Sequence, residues 1–150
     1  MTDFSVTAAI RCKAAGRLEA WIHEYLNHGA WANPALSDGL RLQERFWLGP
    51  VVVRTESLSR CYGPEPWMEI LADPVAWDGK VRELATGLSD PRLVPPLIVQ
   101  YRAGELSVRD GNHRLAAMEL RGWTTCWAII WFDSAAERDA CLRKNEASPR

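Results

Sequence analysis

The sequence predicts an α+β fold, a small mixed β-sheet with helices packed around it. Three observations predict it. Between Gly16 and Gly29 the apolar residues Leu18, Trp21, Ile22, Tyr25 and Leu26 recur at helical spacing. Residues 97–101 and 105–109 are β-favouring runs joined by Arg102-Ala103-Gly104, the pattern of a β-hairpin. Residues 124–132 carry Cys126, Trp127, Ile129, Ile130, Trp131 and Phe132, a nearly continuous apolar run suited to a strand covered on both faces.

Taken in order, the first helix lies within 16–29 and stops at Gly29, a favourable C-terminal cap. Residues 30–45 contain Asn33-Pro34 and Ser37-Asp38-Gly39 and read as a connection. Val51, Val52 and Val53 form a short strand. Residues 60–69 hold Gly63, Pro64 and Pro66, a shaped loop entering a short helix with Pro66 in its first turn. Asp78 caps a helix bearing Val81, Leu84, Ala85 and Leu88, and Asp90-Pro91 and Pro95-Pro96 then impose an extended connection. After the hairpin, Asp110-Gly111-Asn112 introduces a helix that runs to about Arg121 and stops at Gly122. Ser134-Ala135-Ala136-Glu137 matches a capping box, and the helix it opens frays before Ser148-Pro149-Arg150. There is no internal repeat. The expectation is one domain over 1–150, with 1–50 a helical extension and 134–150 a C-terminal helix and tail.

Composition narrows the function classes. The 150 residues suit one domain, and 47% hydrophobic with 25% charged residues argues against disorder, collagen-like repeats and a disulfide scaffold. Eighteen basic against nineteen acidic side chains give a net charge of -1, without the positive field that drives much nucleic-acid binding; a local basic groove stays open. No apolar run approaches the roughly 18 residues of a membrane span, and Met1-Thr2-Asp3-Phe4 does not begin a secretory signal, so a cytoplasmic protein without a membrane partner is expected. Cys12, Cys61, Cys126 and Cys141 form no Cys-x-x-Cys pair and the histidines have no zinc-site spacing, which favours reduced thiols. Eight tryptophans follow no constant period and serve mainly packing, although Trp67 and Trp123 are also suited to stacking on a base.

The residues best suited to chemistry are Asp110-Gly111-Asn112-His113-Arg114, between a strand and a helix. Gly111 permits a tight turn, and the free N–H groups of the helix start together with Arg114 suit phosphate oxygens. His113 adds a donor whose charge the site sets. Phosphate alone would repel Asp110, so its uses are metal coordination, orientation of His113 or Arg114, or binding of a substrate hydroxyl or amine. A nucleotide with Mg²⁺ satisfies this mixture. The plain alternative has Asp110 as a cap, Gly111 as a turn, Arg114 in solvent and His113 as ordinary packing.

Pro95-Pro96-Leu97-Ile98-Val99, the Gly104 turn, Leu106-Ser107-Val108, the Asp110 to Ala117 segment and Gly122 together resemble the ParB/sulfiredoxin superfamily. The resemblance covers residues 51–132 and is most specific over 97–122. It implies a ParB/sulfiredoxin-like fold whose Gly-x-x-Arg-type signature binds nucleotide phosphates, with Gly111, Asn112, His113 and Arg114 in contact. Sulfiredoxins carry their reactive cysteine where Asn112 stands, and an amide forms no thiolate, so that chemistry is disfavoured. ParB partition proteins continue into a helix-turn-helix DNA-binding domain, whereas these residues run about one helix past the last strand and lack the basic balance.

Asp-Gly-Asn-His-Arg is closer to the Asp-Gly-His motif of the free serine kinases. The resemblance therefore implies a Mg²⁺-dependent phosphotransferase acting on a small hydroxyl-bearing molecule, or an NTPase, using ATP, ADP or CTP. Asp110 is then the metal ligand. A catalytic carboxylate is expected at Glu69 or Glu65, with Glu69 preferred, since both lie broadly where the related kinases supply an acid; an exposed surface role is the alternative for either. Arg60, ahead of the Gly63-Pro64 segment, is a candidate nucleotide contact or an exposed arginine. Competing readings are a non-catalytic nucleotide-gated binding module and a ParB-like DNA-binding protein or nuclease. Partners are a nucleotide and a small-molecule acceptor, with a homodimer left open.

Overall fold

The computed structural model describes residues 3–147. Helices α1 (Val6–Ala14), α2 (Leu18–His28) and α3 (Pro34–Leu40) precede strand β1 (Phe46–Arg54). A single 3₁₀ turn leads to β2 (Leu58–Arg60), followed by the short β3 (Tyr62–Gly63) and β4 (Ile70–Leu71) and by α4 (Pro74–Gly87). Then come β5 (Leu97–Arg102), β6 (Glu105–Asp110), α5 (Asn112–Leu120), β7 (Thr125–Phe132) and α6 (Ala135–Ala147). The architecture is α+β, as the sequence predicts.

β7 organises the molecule because its side chains alternate between two apolar layers. Cys126, Ala128, Ile130 and Phe132 join Trp77, Val81, Leu115 and Met118, the apolar faces of α4 and α5. Ile129 and Trp131 point the other way and meet Trp21, Ile22, Tyr25 and Leu26 of α2 and Leu40 of α3. The five-stranded sheet runs β1-β7-β5-β6-β2 and is therefore sandwiched between helices. β7 pairs antiparallel with β1 and parallel with β5, while β2 lies parallel to β6 at the edge. β3 and β4 form a separate two-stranded pair.

The β5–β6 hairpin turns at Ala103 and Gly104, whose φ values of 53° and 84° give the left-handed pair a tight hairpin favours. Ser134 caps α6 as expected, since Glu137 N–H donates to Ser134 Oγ at 3.1 Å, but the Glu137 carboxylate accepts from the Ser134 hydroxyl at 3.3 Å instead of closing the box on the backbone N–H. The expected fraying toward Ser148-Pro149-Arg150 lies outside the described residues. The four cysteines form no disulfide. Among the described residues no helix is long and apolar enough to cross a membrane.

Several boundaries differ from the expectation. Residues 30–45 contain α3, because Asn33 accepts from Leu36 N–H at 3.2 Å and Pro34 supplies the first-turn proline of a helix rather than a turn. α1 had no counterpart in the sequence reading; Ser5 caps it by accepting from Ala8 N–H at 3.2 Å. Asp73, not Asp78, caps α4, accepting from Ala76 N–H at 2.9 Å, while Asp78 sits inside the helix and pairs with Arg82. Pro66 starts no helix; residues 64–69 form a turn between β3 and β4. The strand expected at Val51 to Val53 extends over all of β1, with a register shift between Leu48 and Val51.

Candidate functional site at the start of helix α5

β6 ends at Asp110, and one glycine reverses the chain into α5. Gly111 has φ 104°, and a Cβ there would collide with the Leu97 side chain and lie 2.8 Å from Arg114 Nη2. Only glycine fits this corner without strain. Because glycine is also the N-terminal cap, no side chain among the described residues caps the first N–H groups of the helix. The residues of this corner adjoin a cavity of about 360 Å³, lined by Asp110–Arg114, by Lys80 and Leu84 of α4, and by Ala30, Trp31, Ala32 and Asn33 between α2 and α3.

Arg114 lies inside the protein, 3% exposed, rather than in solvent. Its Nη1 donates to the Tyr25 hydroxyl at 2.9 Å, and its Nη2 reaches the Pro96 carbonyl at 3.3 Å and Asp110 Oδ2 at 3.4 Å. Tyr25 O–H donates to the same Asp110 oxygen at 2.8 Å, which closes a buried triangle of hydroxyl, carboxylate and guanidinium. The Trp31 ring covers the guanidinium, with the central carbon 4.9 Å from the ring centre. Burial pushes the Tyr25 hydroxyl well above its ordinary value. For Arg114 burial works against the charge, but Tyr25 and Asp110 outweigh it and hold the guanidinium protonated. Among the described residues its buried Nε has no hydrogen-bond partner.

The side chain of Asn112 turns away from the helix start and fastens the β2–β3 connection. Its Oδ1 accepts from Cys61 N–H at 2.9 Å and Tyr62 N–H at 3.4 Å, and its Nδ2 donates to the Val108 carbonyl at 3.1 Å. What Asn112 offers the cavity is therefore its backbone amide. His113 packs its ring against Trp77 at 4.4 Å and Tyr62 at 5.3 Å between centroids. Burial, then the positive charges of Lys80, Arg114 and Arg60, push the imidazole down to about 4, so it is neutral at pH 7.

The remaining candidates stand outside the cavity lining. Arg60 pairs with Glu65, donates to the Tyr62 carbonyl at 3.2 Å and lies over the Trp77 ring at 5.0 Å. Its hydrogen bond to Glu65 holds that carboxyl below its usual range. Glu69 is turned to the β5–β6 hairpin, where Arg109 grips it at 2.6 and 3.3 Å and Arg102 at 3.3 Å. Asp110 is the carboxylate that lines the cavity, with neither Glu65 nor Glu69 beside it. Trp67 is exposed on the β3–β4 turn, away from the site.

Three participants are not marked as site residues by the sequence. Tyr25 reads in the sequence as an apolar helix position, although a buried tyrosine hydroxyl needs a partner and that need is a usable signal. Trp31 and Lys80 lie far from the motif in sequence and carry no local mark. Among the described residues no three His, Cys, Asp or Glu side chains cluster as a ready metal site. Phosphate groups fit the residues present: uncapped amides, a lysine and a neutral histidine around a cavity, with a buried arginine behind. A Mg²⁺ ion that arrives with phosphate needs only one or two protein carboxylates, a role open to Asp110.

No protein-family model matches the chain, and no curated protein matches it. Among solved structures it is similar to sulfiredoxin from Arabidopsis thaliana, with 24% identity over 63% of this chain and 99% of that chain and a TM-score of 0.42. It is also similar to a Pnob8-like ParB-N domain, with 21% identity over 69% of this chain and 37% of that chain and a TM-score of 0.39.

Proposed function

We infer that the protein binds a nucleotide through its phosphates in the cavity at the start of α5. The observation that supports this best is the uncapped first turn of a helix, opening into a 360 Å³ cavity with Lys80 at its wall. The amides of Asn112, His113 and Arg114 donate to phosphate oxygens, and Lys80 neutralises charge from α4. Neutral His113 adds a donor without repelling Mg²⁺. Arg114 acts from behind, setting a positive field and holding Asp110 in place. When Mg²⁺ is bound it screens phosphate charge, and Asp110 would hold it together with phosphate and water oxygens. In the phosphotransfer or NTPase form of this reading, Asp110 also serves to orient the hydroxyl of a small acceptor or a water.

A non-catalytic nucleotide-gated module is the second reading. It is favoured by the engagement of Asp110 Oδ2 with Tyr25 and Arg114, and by the pairing of Glu65 and Glu69 with arginines outside the cavity. Calorimetric titration with ATP, ADP and CTP, with and without Mg²⁺, separates the readings when product formation is followed in parallel. Saturable binding with turnover supports the enzyme and binding without turnover the module. Lys80→Ala, on an exposed side chain, is expected to weaken binding by roughly three- to tenfold. No binding of any of the three nucleotides, or an unchanged affinity in Lys80→Ala, refutes the assignment.

A further inference from the structure

Part of the cavity wall comes from the connection between α2 and α3, residues Ala30, Trp31, Ala32 and Asn33. Its chemistry differs from that of the other walls. Lys80 of α4 and Asp110 and Arg114 of the β6–α5 corner bring charge, whereas the connection brings two small alanines, a flat indole and a carboxamide. A cavity that is charged on one side and aromatic on another suits a molecule with the same division.

Trp31 is half-buried, and among the described residues the Arg114 guanidinium, 4.9 Å from the ring centre, is the one cation or ring that its indole meets. That guanidinium is 3% exposed and held by Tyr25, the Pro96 carbonyl and Asp110, so the indole rests on a fixed support. A ring ordered before a ligand arrives loses little freedom when something stacks on it. The indole N–H groups of Trp47 and Trp131 are enclosed in the protein, whereas that of Trp31 is open to solvent and has no acceptor among the described residues. Asn33 is similar: its Oδ1 accepts from Leu36 N–H at 3.2 Å, and its Nδ2 is open and unused. These two donors orient a ligand more than they tighten it, because each exchanges a bond to water for a bond to the ligand. The ring supplies the affinity.

Resting on the nucleotide reading of this cavity, we propose that Trp31 holds the nucleobase, stacked on the indole face turned away from Arg114, and so sets the base preference of the site. The Asn33 amide and the indole N–H serve acceptors on the edge of the base and on the sugar. A purine overlaps an indole more fully than a pyrimidine does, so Trp31 favours ATP and ADP over CTP. Trp67 and Trp123, which the sequence makes suited to base stacking, line no part of this cavity.

The test is calorimetric titration of the full chain, with Mg²⁺ present, against ATP, CTP and inorganic tripolyphosphate, which carries the phosphates without a base. Trp31→Leu keeps an apolar cover over Arg114 but removes the flat face. It is expected to weaken ATP by about five- to hundredfold, the range of one base–aromatic stack, and CTP by less, with tripolyphosphate changed by less than about twofold. Trp31→Phe keeps a ring and should recover most of the ATP affinity. In the wild-type protein, NMR should show intermolecular NOEs from the adenine ring protons to the Trp31 indole, whose signals are assigned by their loss in Trp31→Phe; this measurement decides the matter if Trp31→Leu does not fold. Equal weakening of ATP and tripolyphosphate, unchanged ATP affinity in Trp31→Leu, or adenine NOEs to other rings alone overturns the proposal while the phosphate site stands. Failure of the wild-type chain to bind either ATP or tripolyphosphate refutes the nucleotide reading itself, and this proposal with it.

Discussion

Arg109 and Arg114 flank Asp110 and Gly111, and each meets a carboxylate, but in opposite settings. Arg109 and Glu69 stand 2.6 Å apart with side chains 18% and 50% exposed; Arg114 and Asp110 stand 3.4 Å apart at 3% and 7%. The shorter pair is the weaker structural element, because water and salt screen it and can replace either partner. The longer pair has no water to fall back on. Tyr25, the Pro96 carbonyl and Trp31 complete it, and losing one member leaves an uncompensated buried charge. Burial, more than distance, thus separates a pair that holds the fold from one that water and salt can loosen.

This contrast can be broken most forcefully at Arg114. Arg114→Ala strands Asp110 and the Tyr25 hydroxyl, and a loss of about 3–5 kcal/mol of stability is expected in urea unfolding. A loss under 1 kcal/mol would put the buried triangle in doubt. Tyr25→Phe removes one corner while keeping the ring, for an expected cost of about 1–3 kcal/mol by the same measurement. Gly111→Ala forces a side chain into the φ 104° corner against Leu97 and Arg114, and should cost about 1–3 kcal/mol. At the other end of the scale, Glu69→Gln should change stability by less than about 1 kcal/mol, since its two ion pairs are largely solvated.

The neutral His113 sharpens the comparison through pH. Its folded value of about 4 lies below the ordinary 6.5, so folding favours the unprotonated ring. The stability it contributes is fully present above pH 6.5 and is lost as pH falls toward 4. His113→Gln should therefore flatten the acid side of the stability profile in that window. Profiles that stay parallel from pH 7 to pH 4 would show that the ring is already solvated and free to protonate.

The local parts of this fold were legible in the sequence, and the reason is visible in particular elements. The β5–β6 hairpin, α5 and β7 each carry their signal within one contiguous stretch: a two-residue turn, a glycine corner and stop, an apolar run. α3 was missed because Asn33-Pro34 serves equally as a turn and as a helix cap with its first-turn proline, and seven residues show no periodicity to choose between them. Asp73 lost to Asp78 as the cap of α4 because the first turn of that helix is solvent-facing, with Val75 82% exposed, and the apolar rhythm begins only afterwards. The glycine corner and helix start at Asp110–Arg114 are readable from the motif. Its partners are not, for Tyr25 reaches Asp110 across 85 residues and Lys80 and Trp31 arrive on other elements. In the sequence Arg114 reads equally as a phosphate ligand or a solvated side chain; burial, which sequence does not display, gives it a structural role.

The most direct test of the central claim is a two-dimensional NMR titration with ATP and Mg²⁺ that follows the amides of Asn112, His113 and Arg114 and the ring of His113. Phosphate in the cavity predicts saturable downfield shifts of those three amides, larger than any elsewhere in the chain, and a rise of the His113 pKa from about 4 as the neighbouring negative charge offsets Lys80 and Arg60. Saturable shifts confined to other elements, with these amides and the His113 titration unmoved, would contradict it.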